Sequence, residues 1–451
     1  MSQKSPLSNL TLAIVPIARP TFDVALAQQV TDRIRAQLEQ AGFKLVGPEK
    51  LVTSLAEARA AAQVLATEMP DLLLALQATF ADSTMMMELA QTIDAPLLMW
   101  AIPEDRTGGR LRLNSLCGIN LAGHSLTRAG HRYDYIYAPP DDPAALAQIQ
   151  TTALAGHVRR RLHGARLGRI GEHPDGFDTC RFDPDGLKKQ LGLEVVQVEL
   201  GQFFKQTRAV APQEVDAVVR NLSQTLGNLA ELDQAATRGT LASYIALCHL
   251  AEQEKLDGLA IRCWPEFFTE LGCAACGAMS MLSNEYTPCS CEVDVNGTIT
   301  QLMLQWLSGE PAFGSDLVSV DKDKDVFVLW HCGLAPLAMA DPAVAPKGTI
   351  HSNRKLPLLM EFPLKPGRVT VARLSEATGS FRLVVGAGEM LQAPPSFSGT
   401  SGVLRFDRPA SDVLDIILSE GLEHHMSLTY GDHTPALLAL AKMLKIPVLR
   451  L

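Results

Sequence analysis

Three segments of the chain put acids or histidines where reactive groups gather in folds that alternate strands and helices. Glu266 closes Arg262-Cys-Trp-Pro-Glu266, just past the short apolar run 259–263. A lone carboxylate at such a strand end also serves as a cap or a solvated loop group. Glu292 and Asp294 lie in Cys289-Ser-Cys-Glu-Val-Asp-Val-Asn296. If that segment is extended, residues two apart point the same way. Two acids held together are costly without a cation, and carboxylates with imidazole suit Mn or Mg. The alternative is that Asp294 caps a helix beginning at Gly297. Histidines number 11, and His331 ends a strand-like run in Leu329-Trp-His-Cys-Gly333. His424, His425 and His433 crowd into Glu423-His-His-Met-Ser-Leu-Thr-Tyr-Gly-Asp-His433. Adjacent residues face opposite ways when extended, so only one of His424 and His425 enters a given site.

Other chemistries find less support. Cys273-x-x-Cys276 and Cys289-x-Cys291 could together hold zinc. The first pair lies in a small-residue helical run, however, and no Gly- or Lys-rich knuckle accompanies them. Nine cysteines in a chain this long read as reduced, buried thiols. GxSxG is absent, and Ser396-Phe-Ser-Gly-Thr-Ser-Gly402 lacks the spacing and lysine of a phosphate loop. The basic stretch Arg159, Arg160, Arg161, Arg166 and Arg169 reads as a solvated helix face, with a phosphate or sulfonate contact as the alternative.

The formal charge of -9 disfavours a sequence-independent grip on nucleic acid, which needs concentrated positive charge. Apolar residues make up 47% and charged residues 20%, as in an ordinary globular enzyme. No apolar run approaches the ~20 residues of a membrane span. The polar lead into Leu10–Ile17 lacks a cleavable signal layout, so a cytoplasmic protein is expected.

The elements that must position these groups alternate between strand and helix. Leu10–Ile17, Asp71–Leu76 and Ala95–Ile102 read as strands buried on both faces. Asp23–Ala41 has helical spacing and stops at Gly42, and Ser54-Leu-Ala-Glu57 is a capping box. Alternation implies a parallel sheet, with ligands beyond the carboxyl ends of its strands. No GxGxxG follows the first strand, which disfavours a dinucleotide. A second such block begins near Gly168, with strands at 193–200, 257–263 and 289–293 and helices at 238–256, 272–282 and 297–307. From about Lys347 the pattern turns to antiparallel strands, among them Arg368–Leu374 and Ser380–Val385 around the Ala377-Thr-Gly379 turn. The chain therefore reads as α/β: two Rossmann-like parallel-sheet domains, 1–167 and 168–346, followed by a mixed, β-rich C-terminal domain, 347–451. Strand ends of the first block offer Arg19, Phe80 and Trp100 as ligand contacts. Trp264, Asn296 and His424 flank the acids and histidine.

The segment from His424 to Val448 resembles the C-terminal signature of L-fucose isomerase: a histidine before a Ser-Leu-Thr-Tyr-Gly run and a helix ending Met-Leu-Lys-Ile-Pro-Val. Cys291-Glu-Val-Asp-Val-Asn-Gly297 resembles that family's Glu-x-Asp segment, and Glu266 matches its catalytic glutamate more loosely. Trp330-His-Cys-Gly-Leu-Ala-Pro336 is similar to a segment of L-arabinose isomerase. The resemblance implies a ketol isomerase that moves a proton between C2 and C1 of a free or modified aldose, such as a deoxy or sulfonated sugar, through an enediolate. It implies Glu266 and Asp294 as the acid/base pair, and Glu266, Asp294, His425 and His331 around Mn²⁺ or another divalent ion such as Mg²⁺ or Co²⁺. It also implies a homo-oligomer, a hexamer in the family, in which residues near Phe80 and Trp100 cover an adjacent subunit's site. A non-catalytic sugar-binding or sensor protein, and another metal-assisted epimerase or lyase, are the competing readings.

Overall fold

Buried strands and capped helices alternate from Thr11 onward in the computed structural model, which describes residues 10–451. The chain divides into two compact units, 1–160 and 161–451. In the first, strands β1 (Thr11–Ile17), β2 (Lys44–Val46), β3 (Leu72–Gln77), β4 (Leu97–Ala101) and β5 (Asp134–Tyr137) form a parallel sheet in the order β2-β1-β3-β4-β5. Alternate residues along a strand point to opposite faces. Accordingly, Leu12, Ile14, Leu72 and Leu74 join one apolar cluster, and Ala13, Val15, Leu73 and Ala75 join another. Local signals set the helix ends. The Asp23 side chain accepts the Leu26 amide at 3.0 Å and starts the helix Val24–Gln40. Gly42, just beyond that helix, has φ +96°. The Ser54/Glu57 capping box heads the helix Leu55–Glu68.

The second unit holds two sheets. Strands β6 (Arg166–Ile170), β7 (Glu194–Val198), β8 (Gly258–Ile261) and β9 (Cys289–Ser290) form a parallel sheet in the order β7-β6-β8-β9. Nine further strands complete the chain: β10 (Phe313–Asp321), β11 (Val326–His331), β12 (Lys347–Thr349), β13 (Leu359–Pro363), β14 (Gly367–Ser375), β15 (Arg382–Leu391), β16 (Thr400–Phe406), β17 (His425–Tyr430) and β18 (Val448–Arg450). They order as β12-β13-β16-β11-β10-β17-β14-β15-β18, and an extra β15–β16 pairing closes the middle of the sheet on itself. Strands β16, β11, β10, β17, β14 and β15 thus form an all-antiparallel barrel. The mixed α/β reading with a β-rich C-terminal part holds.

The expected break near Lys347 falls inside this architecture: β10 and β11 precede it, yet pair with β17 and β16 beyond it. The helix Val295–Ser308 lies against β8 of the parallel sheet and against β14 and β17 of the barrel. It is buried from Val295 to Leu307. One apolar cluster accordingly runs from Leu259 and Ile261 to Phe313, Val371 and Leu428. Each such side chain fully buried contributes about 1.5–3 kcal/mol.

One local reading needs correction. The segment 289–293 is extended only at Cys289 and Ser290. Glu292 (φ 58°) and Val293 (φ 61°) then take left-handed backbone, and the chain turns into the helix at Asp294. Glu292 and Asp294 therefore do not lie side by side on a strand face. The parallel strand has to end where the long helix is capped, and this sets the turn.

Candidate active site

The barrel supplies one half of the site through strand register. Asp316 on β10 lies directly opposite His425 on β17, and on its other side opposite Trp330 of β11, next to His331. Ligand atoms of Asp316, His331 and His425 all fall within 4.8 Å of one another. His425 Nε2 is 3.4 Å from Asp316 Oδ1. That oxygen is buried and has no hydrogen-bond partner among the described residues.

The parallel sheet supplies the other half. Asp294 caps the helix Val295–Ser308 with Oδ1, which accepts the Gly297 amide at 2.9 Å. Its Oδ2 accepts Arg373 Nη1 at 2.5 Å and lies 3.0 Å from His425 Nδ1. Asp294 and Arg373 are 2% and 1% exposed, so this is a fully buried ion pair. Burial pushes the Asp294 carboxyl up, but Arg373 and His425 outweigh it and hold it well below the usual carboxylate range. With Nδ1 of His425 committed to Asp294, Nε2 faces the cluster. A carboxylate behind a histidine in this way fixes its tautomer and orients it toward a metal.

Glu292 stands at the front. Its Oε1 accepts Trp264 Nε1 at 3.1 Å, and Oε2 lies 3.1 Å from His424 Nε2 and 3.9 Å from His425 Nε2. Burial raises its carboxyl, and His424, His425 and Trp264 together bring it below its ordinary value. Burial lowers the His424 imidazole, but Glu292 and Asp316 raise it to a net upward shift. Thr179 Oγ1 holds the other ring nitrogen of His424 at 2.8 Å. Cys180 forms a second possible ligand group with Glu292 and His425. Phe177 meets Trp264 edge-on at 5.3 Å and His424 at 6.0 Å, which adds an aromatic wall.

The sequence-derived residues divide clearly. His425, Asp294 and His331 come together, and His424 and Trp264 flank them through Glu292. Asn296 is buried on the first turn of the capped helix. Glu266 is not brought into hydrogen-bond contact with this cluster. Both its oxygens accept Arg262 Nε, at 2.9 and 2.8 Å, across the short loop that follows β8. Among the residues of the first unit, the Arg19 side chain pairs with Asp82, and the Phe80 ring lies 5.9 Å from Phe22. Trp100 is a core residue instead of a surface contact: it is 1% exposed and donates Nε1 to the Ala138 carbonyl at 2.9 Å. Asp316 and Arg373 were missed. Arg373 carried a signal, because a charge inside the alternating apolar run of β14 needs a buried partner. Asp316 carried none.

The cysteines also resolve. Strands β8 and β9 are parallel neighbours, so Cys263 and Cys291, just past their ends, lie at a Cα–Cα distance of 5.8 Å and form a disulfide. The reading of all nine as thiols is corrected for this pair. Cys273, Cys276 and Cys289 remain free and buried, and Cys276 Sγ faces Cys332 Sγ at 3.1 Å, so no four-thiol cluster forms among the described residues. The basic stretch is engaged by carboxylates. Arg159 pairs with Asp94, Arg160 with Asp71, Arg161 with Asp257, Arg166 with Glu194 and Arg169 with Glu172.

Residues 13–152 match the family described as fucose/sulfoquinovose isomerase, N-terminal domain, and residues 360–451 match L-fucose isomerase, C-terminal domain. A sulfoquinovose isomerase of Priestia megaterium is 33% identical over 442 residues, 98% of this chain and 99% of that protein. The chain belongs to the fucose/sulfoquinovose isomerase family. A second relative, the sulfoquinovose isomerase of Alkalicoccus urumqiensis, is 31% identical over 446 residues, again 98% of this chain and 99% of that one. Among solved structures, a glucose-galactose binding protein from Geobacillus stearothermophilus covers 67% of this chain and 92% of its own at 12% identity and a TM-score of 0.18, too slight a likeness to argue from. Family membership makes this a sugar isomerase of the aldose–ketose class, and the reading as a non-catalytic binding protein is set aside. Among the described residues no helix is long and apolar enough to cross a membrane.

Proposed function

We propose that the protein interconverts sulfoquinovose, a glucose bearing a sulfonate at C6, with its 2-keto isomer, and that it does so with a divalent ion. The relatives' shared substrate and their nearly full-length match support the choice of sugar. The observation that carries the metal reading is the convergence of Asp316, His331 and His425 within 4.8 Å, with Asp316 Oδ1 buried and unpartnered among the described residues. Oxygen and imidazole donors of this kind suit Mn²⁺, with Mg²⁺ or Co²⁺ as substitutes. The ion would supply Lewis acidity toward O1 and O2 of the open-chain sugar.

The chain's own residues do the rest. Glu292 moves the proton between C2 and C1, and Trp264 and His424 fix its two oxygens. Asp294 is a positioning residue: it holds the ring of His425 by Nδ1 and is itself pinned by Arg373. This redraws the acid/base pair expected from the sequence. Asp294 is fully buried in an ion pair with Arg373 and Glu266 is held by Arg262, whereas Glu292 is only partly buried and lies 3.9 Å from His425 Nε2.

The test is a comparison of Glu292→Gln with Glu266→Gln in the Mn²⁺-loaded protein, with sulfoquinovose in D₂O and deuterium entry at C1 or C2 as readout. Glu292→Gln is expected to lower kcat about 10²–10⁴-fold, with Glu266→Gln close to wild type. The reverse order would return the role to Glu266. Absence of exchange in the wild-type protein would remove the isomerase reading of this sugar.

A further inference from the structure

One guanidinium beside the site is held in place without an anion. Arg354 lies 4.7 Å above the ring of Trp264 and 5.3 Å from that of Phe268. It belongs to a tight turn organised by His351, whose Nδ1 accepts the backbone amides of Asn353 at 3.2 Å and Arg354 at 3.3 Å. A neutral imidazole that accepts at one nitrogen carries its proton on the other. His351 Nε2, 3.1 Å from Arg354 Nη1, therefore cannot also accept from the guanidinium. No carboxylate lies within salt-bridge distance of Arg354 among the described residues. The other arginines around this centre each have one: Arg373 has Asp294, Arg262 has Glu266, Arg169 has Glu172 and Arg181 has Asp178.

The position is as informative as the charge. Trp264 links the two groups, since its face carries Arg354 while its indole N–H bonds Glu292 at 3.1 Å. The proposed proton-moving carboxylate and the anion-free guanidinium are thus one indole apart, a separation that a six-carbon sugar spans. A planar fork of N–H donors fits three equivalent sulfonate oxygens, and stacking on two rings lowers the entropy lost on binding. The geometry points to Arg354 as the residue that binds the anionic C6 group of the substrate and selects sulfonated over neutral sugars. This assignment rests on the proposed isomerase site.

The test measures isomerisation of sulfoquinovose and of its neutral 6-deoxy counterpart by wild type, Arg354→Gln, Arg354→Lys and, as a control, Arg181→Gln. Loss of a charge-assisted hydrogen bond predicts that Arg354→Gln raises KM for sulfoquinovose about 10–100-fold. Its kcat stays within a few-fold, and kcat/KM for the neutral sugar does not fall. Arg354→Lys recovers part of the KM, and Arg181→Gln resembles wild type. An unchanged KM for sulfoquinovose in Arg354→Gln, or an equal fall in kcat/KM for both sugars, overturns the assignment while leaving the isomerase reading in place. A wild-type protein that ignores sulfoquinovose overturns the substrate reading and this assignment together.

Discussion

Asp294 caps a helix, neutralises Arg373 and fixes the ring of His425, so its substitution has separable effects. In Asp294→Asn the amide oxygen can still accept the Gly297 N–H, which preserves the cap. Arg373 is left with Glu423, whose carboxylate lies 3.9 Å from its Nε. Removing one partner of a buried pair costs about 3–5 kcal/mol when the remaining charge is uncompensated, and the longer Glu423 contact puts the expected loss toward the lower end. The variant should therefore lose turnover and also shift its denaturant midpoint downward. Adding Arg373→Met should recover much of the stability and none of the activity. A double variant no more stable than the single one would show that the pair is not coupled. At this scale the sequence was partly legible. His425 and Asp294 were reached through the resemblance. Glu292 was noticed but placed on the wrong geometry, because its left-handed backbone is set by the helix beginning at Val295. Asp316 was invisible, since its role comes only from the strand it pairs with.

Elements with local causes were read most easily. The Asp23 cap, the Ser54/Glu57 box and the β14–β15 hairpin each depend on a few adjacent residues, and each lies close to its expected position. Barrel closure depends instead on contacts between distant segments, so periodicity shows strands but not their order. Closure requires glycine at one position. A Cβ on Gly388 would strike the backbone carbonyl of Arg405 across the β15–β16 ladder. Gly388→Val should open that seam, since backbone cannot yield as a flexible side chain does. Hydrogen exchange should rise along β16 and the melting temperature should fall. Exchange in β1 and β3 of the first unit should stay unchanged. Unaltered protection of β16 would mean that the seam contributes little.

For the molecule as a whole, part of the response to acid can be assigned to one buried carboxyl of the first unit. The first unit buries Asp71 completely, with bonds from the Thr11 amide at 2.8 Å, Arg160 Nε at 2.8 Å and a 3.1 Å contact to His157. Burial pushes its carboxyl up, but these partners outweigh it and the net shift is downward. A carboxyl depressed on folding stabilises above its unfolded value of about 3.9, and that contribution fades as pH falls through the lower folded value. Asp71→Asn should therefore be less stable than wild type at pH 7. It should also lose less further stability between pH 4 and pH 2, as read from urea midpoints of the first unit. Parallel pH curves would exclude Asp71 as a source of acid sensitivity. The pairing of Asp316 with His425 has a consequence for biosynthesis. The strands that carry them, Phe313–Asp321 and His425–Tyr430, are separated in the chain by most of the barrel. A nascent polypeptide can finish the first unit and the small parallel sheet while β17 is still untranslated, and in that interval it holds Asp316 and His331 without the imidazole that completes their cluster. The proposed three-residue cluster can therefore form only after β17 has been made, late in synthesis, when the strands from β10 to β16 are already present to receive it.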